Sequence, residues 1–212
     1  MDPFTQGLEG VTYLGLEWVL NPIVRNDIYV SELLSSVGGD WYPDRRDQLV
    51  EILDIDTMWR MHQVSDGERR RVQLAMGLLR PWSILLLDEV TVDLDVLARS
   101  RFLAFLKDET MSRGCTIVYA THIMDGLADW PTNLVRMAGG KVKAVGTVEN
   151  LLEEAEREGA ITGMGAGGLL RNSALLDLVL GWLKADLEER GPRDRKKTGQ
   201  ITYNNVVGRG PY

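Results

Sequence analysis

Apolar and polar positions fall along this chain in blocks whose spacing predicts elements. Val11 to Leu14 reads as a short buried strand, and the polar, proline-containing stretch GLEWVLNPIVRND follows it. From there to Met61 the text is helical: Leu49, Ile52 and Leu53 mark one face, while Gly38-Gly39 and Pro43 mark breaks. Ser65, Asp66, Gly67 and Glu68 form an S-x-x-E capping box, which predicts a helix from Ser65 with Val72, Ala75, Met76 and Leu79 on one side and Pro81 as its stop. Ser83 to Leu87 is a continuous apolar run, the pattern of a strand covered on both faces in a parallel sheet, and Asp88 and Glu89 lie at its C-terminal end. Asp95 is placed to cap a helix carrying Ala98, Phe102, Phe105 and Leu106 at helical spacing, with Gly114 closing it. CTIVYA predicts another strand, ending at Thr121 and His122.

Beyond Trp130-Pro131, NLVRM and KVKAVGT flank AGG, a hairpin pattern. Strands alternating with helices argue for an α/β fold on a mainly parallel sheet. Residues 148–190 read as an appendage: a charged helix from Glu149 to Glu158, the joint GAITGMGAGG, and an amphipathic helix with Leu176, Val179, Leu180, Leu183 and Leu187 on one face, ended by Gly191-Pro192. Residues 191–212 are polar and expected to be disordered. GMGAGG matches G-x-G-x-x-G, but a charged helix precedes it where a dinucleotide site needs a buried strand, so it reads as a hinge.

Composition narrows the function classes. The 24 Lys and Arg against 31 Asp and Glu give a net charge of −7, which argues against a broad grip on nucleic acid or anionic lipid. The basic run from Arg190 to Lys197 reads as a solvated tail. Cys115 is the single cysteine, so no internal disulfide forms and a reducing compartment is expected. No signal peptide starts the chain, and its most apolar stretch is far shorter than the ~20 residues of a spanning helix, so the expectation is a soluble protein.

Open α/β sheets bind ligands beyond the C-terminal ends of their strands. Asp88, Glu89 and His122 stand at such ends, and two acids with a histidine suit metal-assisted hydrolysis: Asp88 for Mg²⁺, Glu89 for polarising water, His122 for a phosphoryl oxygen. Read singly, an acidic pair at a strand end is more often a cap or a surface ion pair. The helix start at Ser65 and Gly67 offers a hydroxyl and outward N–H groups, an anion site, although a plain capped helix fits it as well. His62, in a polar linker, is read as structural.

Taken together these segments resemble the ABC-type ATPase family, from Val11 to about Thr147. VSDGERRRVQ is similar to the family signature, with Asp66 where a glycine and Glu68 where a glutamine are usual; ILLLDE resembles the Walker B strand, VDLD the D-loop, and VYATHIMDG the H-loop strand. They occur in family order, with 23 residues from Ser65 to Asp88 and 33 from Glu89 to His122. The resemblance implies a P-loop NTPase-like sheet, incomplete at the N-terminus, with a helical signature subdomain at about 19–80 inside a partial ATPase domain 1–147. It implies ATP and Mg²⁺, with Asp88 organising the metal, Glu89 and His122 catalytic, and Ser65, Asp66, Gly67 and Glu68 facing the nucleotide of a second ABC domain across a homo- or heterodimer interface that Asp95 links.

Two departures qualify this. No segment matches the lysine loop G-x-x-x-x-G-K-[ST], which predicts that the chain is an N-terminally shortened form of a longer ATPase. At the glutamine position after the first strand stand Leu16 and Glu17, so Glu17 is the candidate there and coupling to a membrane permease is disfavoured. The branch most resembled is soluble and eukaryotic, linked to the CCR-Not complex and transcription regulation, which implies a cytoplasmic protein with nuclear access. A transporter ATPase subunit and a catalytically inactive interaction module are the alternatives.

Overall fold

The computed structural model describes residues 9–15, 25–159 and 174–191. The chain divides into two compact units between Trp130 and Pro131. The first holds β1 (Val11–Leu14), α1 (Val30–Ser36), a 3-10 turn (Gly39–Trp41), α2 (Pro43–Ile52), α3 (Asp66–Leu78), β2 (Ile84–Asp88), α4 (Val96–Arg113) and β3 (Thr116–Ala120). Its three strands pair in the order β1-β2-β3, all parallel, with Leu14 opposite Leu87 and Asp88 opposite Ala120. This is the mainly parallel α/β arrangement that the strand-helix alternation predicts.

Local chemistry sets these boundaries. Ser65 caps α3, Asp95 caps α4, and α4 ends at Gly114, whose φ of 65° lies in the left-handed region that a side chain disfavours. Leu33, Leu34, Leu49, Leu74 and Leu78 from the helices join Leu85, Leu87, Phe102 and Leu106 in one core, so the helical segment and the sheet are packed as one body. One expectation changes here. Leu85 and Leu87 are buried, but Ile84 and Val118, at neighbouring positions of alternate orientation, are 41% and 55% exposed. A continuous apolar run does not distinguish a strand covered on both faces from one covered on a single face, and among the described residues the helices bury only the Leu85–Leu87 side.

The second unit contains β4 (Asn133–Ala138), β5 (Lys141–Thr147), α5 (Val148–Arg157) and α6 (Ala174–Arg190). The two strands are antiparallel and turn at Gly139 and Gly140, with φ of 57° and 72°, the double positive-φ geometry of a tight hairpin. Leu151, Ala155 and Leu178 form its small core, with Leu134, Ala144 and Trp182 packed on it. The hairpin therefore shares a unit with the C-terminal helices, where the sequence reading grouped it with residues 1–147. The packed stripe of α6 also differs from expectation: Leu175 and Leu178 are buried, whereas Leu183 and Leu187 are exposed. Trp182 fixes this rotation, since Arg136 lies over its ring and also pairs with Asp186. The GAITGMGAGG joint beyond Gly159 and the tail beyond Gly191 lie outside the described residues.

A charged cluster staples the helices of the first unit. Glu109 of α4 pairs with Arg45 of α2 at 2.7 Å and with Arg113 one turn on. Arg45 Nε also donates to the Leu78 carbonyl at 2.7 Å, and Arg113 Nη2 to the Trp82 carbonyl at 2.6 Å, so the cluster joins α2, the end of α3 and the entry to β2. Burial pushes the Glu109 carboxyl up, but the hydrogen bonds from Arg45 and Arg113 outweigh it and hold the group below the usual carboxylate range. A depressed carboxyl stabilises the fold above its unfolded pKa, about 4.3, and that contribution is lost as pH falls through the folded value. Glu109→Ala is expected to cost about 3 kcal/mol, the low end for breaking a buried ion pair, because both guanidiniums keep some water. In urea titrations the gap between wild type and variant should be full near pH 7 and should close below about pH 4.

Candidate active site

The parallel register brings the predicted acids and histidine together. β2 ends at Asp88, opposite Ala120 of β3, and the Glu89 N–H extends the ladder to the Ala120 carbonyl at 3.0 Å. Two residues past Ala120, His122 Nδ1 lies 2.7 Å from Glu89 Oε1, and Thr121 Oγ1 donates to Glu89 Oε2 at 3.3 Å. Thr121 is itself held by the Ile123 N–H at 3.0 Å. Glu89 has φ 50°, an uncommon left-handed backbone for a residue with a side chain and one that the surroundings must hold. Its carboxylate is three-quarters buried while the His122 ring is 75% exposed, so the pair offers one shielded and one open end.

Asp88 points away from the core and is exposed; the Tyr13 hydroxyl of β1 donates to its Oδ2 at a long 3.5 Å. Among the described residues Asp88 makes no ion pair, and no three His, Cys, Asp or Glu side chains converge as a complete metal set. A single exposed carboxylate such as Asp88 fits Mg²⁺, which is commonly held by one or two carboxylates together with substrate phosphates. Asp88 is the residue available for it.

The helix start at Ser65 is built as predicted and is already engaged. Glu68 N–H donates to Ser65 Oγ at 3.3 Å, while the Ser65 N–H and hydroxyl both donate to Glu68 Oε2, at 2.7 and 2.8 Å. These hydrogen bonds hold the Glu68 carboxyl below its ordinary range. Asp66 pairs with Arg69 at 2.5 Å. Gly67 stands against the turn after β2: a Cβ there would lie 3.0 Å from the Asp93 carbonyl oxygen, so glycine permits this close approach. Ser65 has to release Glu68 before its hydroxyl can donate to any phosphate.

Asp95 is likewise engaged within its own chain. Its Oδ1 accepts from the Leu97 and Ala98 N–H groups at 2.9 and 3.0 Å, and Oδ2 pairs with Arg71 of α3. Arg71 also reaches the Asp54 carboxylate at 3.1 Å, and the Ala98 N–H leads the causes that lower the Asp95 carboxyl. Glu17 lies outside the described residues. His62 sits 3.2 Å from Asp27 in a surface cluster with Arg60.

Sequence reading passed over Arg69, Arg70 and Arg71, of which Arg69 and Arg70 are buried. The available signal was periodicity, since Arg70 falls on the stripe of Leu74 and Leu78 at helical spacing. Thr121, inside the H-loop-like segment, and Tyr13 on β1 were given no role because neither carries a charge.

Parallel strands with helices packed on them, and polar side chains gathered at the strands' C-terminal ends, give the chain a P-loop NTPase-like α/β fold. A family profile described as "AAA domain, putative AbiEii toxin, Type IV TA system" matches residues 42–129. The chain is 62% identical over 131 residues to CCR4-associated factor 16 of Saccharomyces cerevisiae, an alignment covering 62% of this chain and 45% of that protein. It is 46% identical over 198 residues to ABC transporter I family member 21 of Arabidopsis thaliana, covering 91% of this chain and 64% of the relative. A solved "ATP binding subunit of ABC transporter" shares the fold at TM-score 0.57 and 18% identity, over 81% of this chain and 67% of that one. The chain belongs to the ABC-type ATPase family. It spans between 45% and 64% of the length of the two curated relatives. Members of the family generally bind ATP with Mg²⁺, and their ATPase domains typically dimerise. No helix among the described residues is long and apolar enough to cross a membrane.

The double use of Asp95 is testable by stability. Asp95→Ala removes the α4 cap together with the partner of Arg71 and is expected to cost about 1–2 kcal/mol in urea unfolding. Asp95→Asn keeps an accepting oxygen for the Leu97 and Ala98 N–H groups, and should lose no more than about half of that.

Proposed function

We propose that this chain carries the water-activating and signature parts of an ATP hydrolase that works as a dimer. The observation that carries this reading is the contact of Glu89 Oε1 with His122 Nδ1 at 2.7 Å, beside the exposed carboxylate of Asp88, at the C-terminal ends of adjacent parallel strands. Asp88 would hold Mg²⁺, which supplies charge neutralisation at the phosphates when bound. Glu89 orients and polarises the attacking water; His122, anchored on Glu89, presents its ring to the γ-phosphate from the solvent side. Phosphoryl transfer needs positioning and charge stabilisation more than covalent chemistry from the protein, and a carboxylate held by two neighbours suits that task.

The dimer half of the reading rests on the face around Asp95. Val92, Val96 and Leu97 are 43%, 84% and 59% exposed there, an apolar rim around a capped turn and beside the Ser65 helix start. In such a dimer Ser65 and Gly67 serve the nucleotide of the opposite subunit, and Glu68 must turn aside for Ser65 to do so. We assign the protein to a regulatory complex in the cytoplasm or nucleus in preference to a membrane transporter; the high identity to a yeast protein named for CCR4 association supports this.

In the full-length protein Glu89→Gln is expected to lower ATP turnover about 10²–10⁴-fold, the range for loss of a general base, while ATP-driven dimers persist. Undiminished turnover would rule out the role given to Glu89. The 212-residue chain carries no segment matching the lysine loop, so it is expected to show no saturable micromolar ATP binding by calorimetry.

A further inference from the structure

Arg70 is a fully buried cation whose bonds among the described residues go to neutral oxygens. Its Nη1 donates to the Gly15 carbonyl at 2.8 Å and to Gln73 Oε1 at 2.5 Å, Nε donates to the Val90 carbonyl at 3.2 Å, and Nη2 reaches the Glu89 carbonyl at 3.4 Å. Gln73, also buried, donates from Nε2 to the same Gly15 carbonyl at 3.0 Å. Among the described residues no carboxylate makes an ion pair with Arg70; Asp93 and Asp88 act on it only through space. Burying a charge without an ion-pair partner is costly, so its neutral partners must all be well placed for it to persist.

The geometry around Glu89 shows what this arrangement fixes. The planar five-donor fork of a guanidinium can hold several carbonyls at set angles, which a lysine ammonium on a flexible stem cannot. Here two of those carbonyls belong to Glu89 and Val90, the two successive peptide planes that follow the left-handed backbone of Glu89 at φ 50°. The third belongs to Gly15, where β1 ends. Gly15 accommodates this crowded point because it has no Cβ; one would lie 2.3 Å from the Tyr13 hydroxyl.

We propose that Arg70, with Gln73, is a positioning residue: it ties the backbone of Glu89 to the end of β1 and thereby aims the Glu89 carboxylate at His122. The inference rests on the reading of Glu89 as the water-activating residue. Substrate contacts are made elsewhere, so the effect falls on the catalytic step and leaves nucleotide affinity alone.

The test uses Arg70→Lys, with Gln73→Leu as a second variant that removes the Gln73 bonds to Arg70 and to the Gly15 carbonyl and keeps the guanidinium. In the full-length protein both are expected to lower kcat, Arg70→Lys by about 10²-fold, as for a misaligned catalytic group, with KM for ATP within about twofold of wild type. In the 212-residue chain the only histidines are His62 and His122, so a His62→Gln background leaves one ring whose tautomer can be read by nitrogen NMR. Glu89→Ala supplies the spectrum of a ring without its partner, and Arg70→Lys should move the His122 signal to it. Should Arg70→Lys not fold, the Gln73→Leu shift decides. A wild-type His122 tautomer in both variants, or a rise in KM equal to the fall in kcat/KM, would overturn the inference. If Glu89→Ala itself leaves the His122 signal and the turnover unchanged, the role of Glu89 fails first and the inference fails with it.

Discussion

Three consecutive arginines near the start of α3 hold the first unit in register. Successive helix positions point about 100° apart, so Arg69, Arg70 and Arg71 reach three different segments. Arg69 wraps back onto the carbonyls of Met61 and Val64 and onto Asp66, fixing the loop that feeds the helix. Arg70 takes the ends of β1 and β2. Arg71 takes the Leu53 and Asp54 carbonyls on one side and Asp95 on the other. Moving α3 would therefore move the serine-capped helix start, the backbone of Glu89 and the turn that carries Asp95 together. Charged donors are suited to this because their hydrogen bonds to carbonyls are roughly twice as strong as neutral ones.

That arrangement explains which parts of the molecule were legible in the sequence. Asp88, Glu89 and His122 could be placed on one sheet edge because strand ends in a parallel sheet are set by apolar runs, and the runs Ile84–Leu87 and Thr116–Ala120 are unambiguous. The capping box at Ser65 and the hairpin at Gly139-Gly140 were legible for a similar reason: each is a local pattern with its own backbone geometry. The arginines were not, since pattern reading assigns a charged run to solvent, and only tertiary packing shows that the Leu53–Asp54 turn, the Met61–Val64 loop and the Gly15 carbonyl converge on them. The face of α6 was misread for a related reason. Leu175, Leu178 and Trp182 compete with Leu176, Leu183 and Leu187 as an apolar stripe, and the partner that decides between them, Arg136, is distant in sequence.

Dual occupation of side chains is the other feature that residue types alone do not reveal. Ser65 and Asp95 both carry groups that the family resemblance directs toward a second subunit, yet each already closes a cap in its own chain. The cap at Ser65 stabilises α3 by an amount typical of such caps, about 1 kcal/mol. Bond exchange from Glu68 to a phosphate oxygen would replace one charge-assisted hydrogen bond with another, so the step need not be costly provided the displaced carboxylate regains water. An aspartate and a glutamate at this helix start, where the signature usually has glycine and glutamine, add negative charge at the place where a phosphate would dock.

Charge then sets the order of events at the proposed site. Asp66, Glu68, Asp88, Glu89, Asp93 and Asp95 all belong to the two neighbouring turns, in a chain of net charge −7. The nearby arginines are committed: Arg69 and Arg71 to carboxylates of this set, and Arg70 to carbonyls beneath Glu89. Two unit charges of like sign 4 Å apart repel by about 4 kcal/mol at an effective dielectric of 20, so bare triphosphate would be turned away by these residues. Under the proposed function, nucleotide would therefore need its charge reduced by a bound cation before it met these residues. If the proposed function holds, the acids of this chain would act after phosphate binding, on water and on an opposing subunit, with the arginine-held backbone of Glu89 keeping its carboxylate aligned until then.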